Sequence, residues 1–137
     1  MSRRTRAGVT LIEMIIVVAL LGFAMAIALP RTNAARRQLL LQSAATQLHG
    51  DFVRARVEAV RRNVSVTVTK DSPTTYTIEF IGTRTLPEGT QFADSSATTF
   101  EFASFGPSAA GSKTFILELD SKTKRVFLSA SGLARIE

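Results

Sequence analysis

The side chain in the most unusual chemical setting is the carboxylate of Glu13. Val9 to Leu29 is a run of 21 residues in which Glu13 is the only charged residue and Thr10 the only one with a hydroxyl group. A charged side chain in a membrane helix costs about 2.5–3.5 kcal/mol at the bilayer centre, so such a group usually has a partner. Cleavage of the chain after Gly8 would supply that partner, because Val9 would then carry a cationic α-amine.

Residues that could form a catalytic or metal site are few. The chain has a single histidine, His49, and no cysteine, which excludes disulfides and thiolate metal sites. It has no P-loop and no Gly-rich dinucleotide turn, and the acidic residues of 63–137 are scattered, so no paired carboxylates are predicted. We therefore expect neither an enzyme nor a bound cofactor, and we place His49 on a solvent-facing side or flank of a helix.

The net charge of +6 is concentrated beside the apolar run. Residues 1–8 contain three arginines, and residues 31–62 contain seven arginines against two acidic residues, whereas residues 63–137 contain seven basic and eight acidic residues. Basic flanks of an apolar segment are typical of contacts with anionic lipid headgroups and of a positive-inside leader. The charge does not indicate a general nucleic-acid surface on the C-terminal region.

Residues 9–30 have the length of a transmembrane helix, which needs about 20 apolar residues. The preceding arginines predict a cytoplasmic N-terminus and an extracytoplasmic C-terminal domain. Two alternatives are a secretory signal peptide, cut at the Ala26-Ile27-Ala28 sequence, and a plain membrane anchor. Neither alternative gives Glu13 a role.

Residues 7–14, AGVTLIEM, resemble the type III signal of type IV pilins and type II secretion pseudopilins. The resemblance rests on the basic leader, the glycine, the Thr-Leu-Ile-Glu run, the apolar stretch and Pro30. It implies that a prepilin peptidase cuts between Gly8 and Val9 and methylates Val9. It also implies that Glu13 pairs with the terminal amine of a neighbouring subunit during assembly.

The helix is predicted to continue after Pro30, which should kink or divide it where the membrane ends. Residues 31–62 form an amphipathic continuation, because apolar side chains recur at steps of three or four. The predicted buried face is Leu41, Ala45, Leu48, Phe52, Ala55 and Ala59, and the arginines expected on other faces are Arg36, Arg54, Arg61 and Arg62.

After Asn63 the apolar period changes from 3.6 to 2, which predicts strands. The expected strands are 64–69, 75–80, 98–104, 114–119 and 125–130, with turns at 71–74 and 120–124 and loops around 87–89 and 106–111. The predicted fold class is α+β, with the long N-terminal helix packed on a small antiparallel β-sheet or a two-sheet sandwich.

The C-terminal half resembles the GspH/FimT branch of pseudopilins, through Phe105-Gly106, Arg125-Val126 and Ser131-Gly132. The resemblance implies a minor subunit of a type II secretion pseudopilus or a type IV pilus, supporting protein secretion from the bacterial inner membrane. The implied partners are prepilin peptidase, other pilin-like subunits, inner-membrane lipid and secreted cargo. The domain plan is a leader at 1–8, a transmembrane helix at 9–30, its amphipathic continuation at 31–62 and a periplasmic β domain at 63–137.

DNA capture is the alternative function. Some FimT-like minor pilins bind DNA during natural transformation through a C-terminal Gly-Arg-x-Arg tail, and the matching run here is Gly132-Leu133-Ala134-Arg135. A few phosphate contacts would give weak and strongly salt-dependent binding. The candidate contacts are Lys122, Lys124, Arg125 and Arg135.

Overall fold

A computed structural model of the chain describes residues 9–105, 108 and 111–137, and gives only the backbone of residues 27–32. Gly8 with the rest of the predicted leader, and most of the loop predicted at 106–111, lie outside the described residues. The chain divides after Arg36 into two compact units, which are described separately below.

A single helix, α1, runs over Leu11–Arg62 and is continuous through Pro30. The helix is therefore not divided at the proline, and the kink remains a prediction. In the described part of the chain, no helix combines the length and apolarity that crossing a membrane requires. The transmembrane segment at 9–30 also remains a prediction.

The second half of α1 has the buried face that the sequence predicts. All six predicted apolar residues are buried, and Ala44 joins them, while the four arginines expected on other faces are exposed. Four of the seven buried residues are alanines, whose small side chains let the helix backbone approach the sheets closely. The 3.6-residue period was sufficient to identify this face.

The described residues after α1 form eight strands. They are β1 Val66–Lys70, β2 Thr75–Ile78, β3 Gly82–Thr85, β4 Gln91–Phe92, β5 Thr99–Phe102, β6 Lys113–Leu119, β7 Lys122–Leu128 and β8 Ala134–Ile136. They pair into two four-stranded sheets, in the orders β3-β2-β1-β5 and β4-β6-β7-β8. Every pairing is antiparallel. The α+β prediction is confirmed, and the presence of two sheets agrees with the second of the two predicted arrangements.

The core connects α1 to both sheets through aromatic rings. The ring of Phe52 on the helix lies 6.0 Å from that of Phe102 on β5 and 5.0 Å from that of Phe115 on β6. Phe92 on β4 contacts both Phe115 and Tyr76 on β2 at about 6 Å. The helix is therefore the shared packing partner of the two sheets.

The helix ends in a Schellman motif that shortens the first predicted strand. Asn63 has a left-handed φ of 55°, its N–H donates to the carbonyl of Val60, and the N–H of Val64 donates to that of Ala59. This reversal leaves Val64 exposed, so β1 begins at Val66 and not at residue 64.

The strand predicted at 75–80 is wrong at its C-terminal end, because Phe80 lies outside it. β2 ends at Ile78, and Phe80 has a φ of 64° in the turn that leads to β3. Its exposed ring lies under the guanidinium of Arg62, 4.8 Å from the ring centroid. The alternating pattern cannot reveal the positive φ that ends the strand.

The turn predicted at 120–124 is shorter in the structure. Leu119 pairs with Lys122, so only Asp120 and Ser121 form the turn, and Asp120 has a positive φ of 53°. β7 consequently begins at Lys122, three residues before the predicted start. The short strands β3, β4 and β8 were not predicted at all.

Candidate assembly site

The first turn of α1 holds Glu13 in a capping box. The N–H of Glu13 donates to Oγ1 of Thr10 at 3.3 Å, and the N–H of Thr10 donates to Oε2 of Glu13 at 3.5 Å. The carboxylate thus lies at the N-terminal, positive end of the helix dipole. It is held within the first turn by Thr10, the residue that follows Val9 in the chain.

The first part of α1 exposes apolar side chains on all sides. The large ones among residues 9–26 are between 46% and 79% exposed within the single chain. They are Val9, Leu11, Ile12, Met14, Ile15, Ile16, Val17, Val18, Leu20, Leu21, Phe23 and Met25. A helix that is apolar all round is stable only in apolar surroundings, which lipid or other apolar helices can provide.

The second unit carries a smaller exposed apolar surface on the helix. Val53, Val57 and Val60 recur at steps of four and three, and each is about half exposed. Arg56 and Arg61 border the same surface. We call these three valines the valine stripe. Its spacing suits contact with a second helix.

The four candidate DNA contacts do not form one surface. Lys124 pairs with the buried Leu117, and Lys122 and Lys124 both line a cavity beside helix residues 38–42. Arg125 and Arg135 lie on the opposite face of this sheet, because successive side chains of a strand alternate and Lys124 directly precedes Arg125. The backbone of Arg125 is hydrogen-bonded to that of Glu137 on the neighbouring chain segment.

His49 contributes to structure at the flank of the helix. Its Nε2 lies 3.2 Å from the carbonyl oxygen of Ala134, so this nitrogen donates the hydrogen bond and ties α1 to β8. His49 is partly buried, as a flanking residue would be. The described residues contain no cluster of His, Cys, Asp or Glu that is suited to hold a metal ion.

Sequence analysis missed Asp51, which is 5% exposed on the packed face of α1. The hydroxyl of Tyr76 donates to Oδ2 of Asp51 at 2.7 Å. Burial, together with this hydrogen bond, raises the pKa of Tyr76 well above its usual value. The available signal was a charged residue between Leu48 and Phe52 on the predicted apolar face.

A long N-terminal helix packed on antiparallel sheets, with a carboxylate capped in its first turn, defines the class of pilin-like subunits. The prokaryotic N-terminal methylation motif matches residues 3–29. The family described as type II transport protein GspH matches residues 44–132, which is more than half of the chain. The chain therefore belongs to the GspH family, whose members are structural pilin and pseudopilin subunits.

The chain is also similar to individual proteins of known sequence or structure. The chain is 44% identical over 62 residues to the pilin-like protein PilA1 of Thermus thermophilus; this match covers 45% of the chain and 38% of that relative. Two crystal structures of the type IV minor pilin FimU of Pseudomonas aeruginosa match with TM-scores of 0.60 and 0.62 at 18% identity. They cover 71% of this chain and correspond to 92% and 87% of the FimU chains, and they support the fold alone.

Proposed function

We propose that the protein is a minor subunit of a pilus-like filament, cut by prepilin peptidase between Gly8 and Val9 and assembled from the bacterial inner membrane. The observation that carries this proposal is the capped Glu13 at the start of a helix that is apolar all round. A plain membrane anchor needs the apolar residues but has no use for the carboxylate.

Before assembly, residues 9–30 would lie in the bilayer with the N-terminus in the cytoplasm and the β domain outside. During assembly the apolar side chains of residues 9–26 would exchange lipid contacts for contacts with the helices of neighbouring subunits. The valine stripe would continue this helix contact beyond the membrane, since its side chains are about half exposed within the described part of the chain.

Glu13 would determine the position of the incoming subunit by pairing with the α-amine of Val9 on its neighbour. The capping box supports this role, because it holds the carboxylate in the first helical turn next to Thr10. Since the amine exists only after cleavage at Gly8, processing would be required before assembly. A charge pair that is shielded from water also penalises a shifted register, in which either charge would lack its partner.

The filament we favour is the pseudopilus of a type II secretion system, because the matching family is described as a type II transport protein. The β domain would then contact other minor subunits or secreted cargo. A type IV pilus is the other member of the same class. Neighbouring genes for a secretin and a secretion ATPase would support the first system, and competence genes would support the second.

Replacing Glu13 by alanine tests the proposal. Membrane insertion and cleavage should be retained, because removal of a charge makes insertion easier by up to about 3 kcal/mol. Incorporation, measured by crosslinking to the other pilin-like subunits, should fall strongly. A matched control is Glu88→Ala, which removes an exposed carboxylate from a loop of the β domain and should leave crosslinking unchanged. Equal crosslinking in wild type and Glu13→Ala would refute an assembly role for Glu13.

A further inference from the structure

A polar cleft lies between α1 and the edge strand β3. Its volume is about 670 Å³, and it is distinct from the apolar surfaces discussed above. Along the helix it is lined by side chains at steps of three and four, with Arg84 contributed by β3. The helix residues are Leu39, Gln42, Ser43, Thr46, Gln47, Gly50, Asp51 and Arg54.

Asp51 is the fixed negative charge of the cleft. Its Oδ2 accepts the hydrogen bond from the hydroxyl of Tyr76, which also accepts a hydrogen bond from Nε2 of Gln47 at 3.3 Å. The amide of Gln47 donates in addition to the carbonyl of Thr85 on β3, at 2.9 Å. These bonds hold the buried carboxylate in one position and connect it to both walls of the cleft.

Two arginines approach this single carboxylate without a close hydrogen bond. Nη1 of Arg54 lies 3.8 Å from Oδ1 of Asp51, and Nε of Arg84 lies 4.0 Å from Oδ2. Both distances exceed the hydrogen-bonding range. Two guanidinium groups against one carboxylate leave one positive charge in excess at the cleft.

The Nε of Arg84 is a buried donor with no hydrogen-bond partner among the described residues. Buried donors are rarely left unpaired in folded proteins, because they lose their water without gaining a partner. The side chain of Arg84 as a whole remains 41% exposed and lines the cleft, so part of it is accessible beside the buried nitrogen. An acceptor that enters the cleft would bond to the exposed part of this guanidinium and neutralise the excess charge.

The edge of β3 offers backbone hydrogen-bonding groups to a ligand that enters the cleft. The N–H of Leu86 donates to the carbonyl of Thr74 on the side of β2. Because the direction of the backbone groups alternates along a strand, Arg84 and Gly82 also bond toward β2, whereas the backbone groups of Thr83 point to the open edge. The amide of Gln47 already occupies the carbonyl of Thr85, so the backbone of Thr83, next to the cleft residue Arg84, is the part of this edge that remains for an added strand. An extended peptide could therefore pair with β3 while one of its side chains reaches Arg84.

We propose that this cleft, named the arginine cleft, binds a carboxylate side chain on an extended segment of a neighbouring filament subunit. This inference rests on the proposed function, because the neighbouring subunit is present only in a filament. A single excess positive charge matches one carboxylate and not a polyanion such as DNA. The neutral amides and hydroxyls of Gln42, Ser43 and Thr46 suit a peptide backbone, and Arg favours the planar, two-point geometry of a carboxylate.

The test uses the full chain in detergent micelles and two synthetic peptides, acetyl-Thr-Val-Glu-Val-Thr-amide and the same peptide with glutamine in place of glutamate. The Nε–H resonances of the arginines are followed by ¹⁵N NMR, with Arg84 assigned from the variant Arg84→Lys. The glutamate peptide should shift the Arg84 resonance saturably below about 10 mM, and the glutamine peptide should bind about tenfold more weakly.

Three variants make the result specific to the cleft. Arg84→Lys keeps the charge but removes the two-point geometry, and should weaken binding of the glutamate peptide about tenfold, measured in this variant from the Nε–H resonance of Arg54, the other arginine of the cleft. Thr46→Glu places a competing carboxylate at an exposed helix position in the cleft and should abolish binding, with an unchanged circular dichroism spectrum as the check on folding. Arg125→Lys, on the exposed face of β7, is the control and should bind as the wild type does.

Equal binding of the two peptides, unchanged binding by Arg84→Lys, or a non-saturable shift shared by all arginines would overturn the arginine cleft. This outcome is separable from the proposed function. Glu13→Ala should bind the peptide normally, because Glu13 lies in the other compact unit. If the wild type binds the peptide and Glu13→Ala assembles normally, only the role of Glu13 is refuted. If the wild type does not bind the peptide and Glu13→Ala fails to assemble, only the cleft is refuted.

Discussion

Replacement of Phe52 by alanine should destabilise the second unit more than almost any other single change. The ring of Phe52 is fully buried and contacts one aromatic ring from each sheet, Phe102 and Phe115. The substitution removes these contacts and leaves a cavity where the helix meets both sheets. Loss of Phe52 therefore tests whether the helix is the common core of the domain.

The expected loss is about 3–5 kcal/mol, the usual cost of replacing a buried phenylalanine by alanine. The two ring contacts place Phe52 toward the upper part of this range, since aromatic pairs contribute about 0.5–1.5 kcal/mol beyond area burial. A domain of this size is stable by about 5–15 kcal/mol in total. The melting temperature should fall by about 12 °C or more, at 4–8 °C for each kcal/mol.

The assay is urea and thermal unfolding of residues 31–137, which we predict to be a soluble monomer with mixed helix and strand signals in circular dichroism. The matched control is Val53→Ala, the adjacent position, which is 47% exposed and should change stability by less than about 0.5 kcal/mol. A loss below about 1 kcal/mol for Phe52→Ala would refute the shared core. A wild-type fragment that is unfolded, or helical throughout, would refute the architecture.

Two further predictions concern ionisation and DNA. Tyr76 is the only tyrosine in a chain without tryptophan, so alkaline absorbance reports its ionisation alone. Its phenol should stay neutral above the usual pKa of tyrosine, about 10. The variant Asp51→Asn should lower the pKa of Tyr76 in the folded chain. The pKa of Tyr76 is higher in the folded chain than in the unfolded chain. Its ionisation therefore leaves stability unchanged below roughly pH 10 and reduces stability as the pH rises further. A normal titration of Tyr76 in the folded state would contradict its burial. Fluorescence anisotropy should detect only weak DNA binding that falls steeply with salt, because the four candidate cations lie on two faces of the sheet. For the same reason the variant Arg135→Gln should bind DNA almost as the wild type does. Tight binding at about 150 mM salt would support the DNA hypothesis instead.

The long helix and its buried face were predictable because many residues repeat one period. Six positions from Leu41 to Ala59 identified the face, and all six are buried. β3 and β8 were not predictable in the same way, since β3 (Gly82–Thr85) contains no apolar side chain and β8 has only three residues, so neither shows an alternation. Positive φ values at Phe80 and Asp120 end or turn strands, and neither residue type requires this conformation.

The candidate sites differ in what the sequence could reveal about them. Glu13 was identifiable because it is a lone charge in an apolar run. Asp51 lies in a helix segment that already contains many charges, and its hydrogen-bond partner Tyr76 is 25 residues away. The arginine cleft also needs Arg84 from a strand that the sequence did not predict, so only the folded chain brings its three charged groups together.

Intact-mass analysis of the protein isolated from a host with an active prepilin peptidase tests the central claim most directly. The mature chain should lack residues 1–8 and begin at Val9, with the mass of a methyl group added if the new amine is modified. Replacement of Gly8 by a bulky residue should leave the chain uncut. A full-length wild-type chain, or one that begins at Leu29 after cleavage by a signal peptidase, would contradict the assignment of this protein as a processed filament subunit.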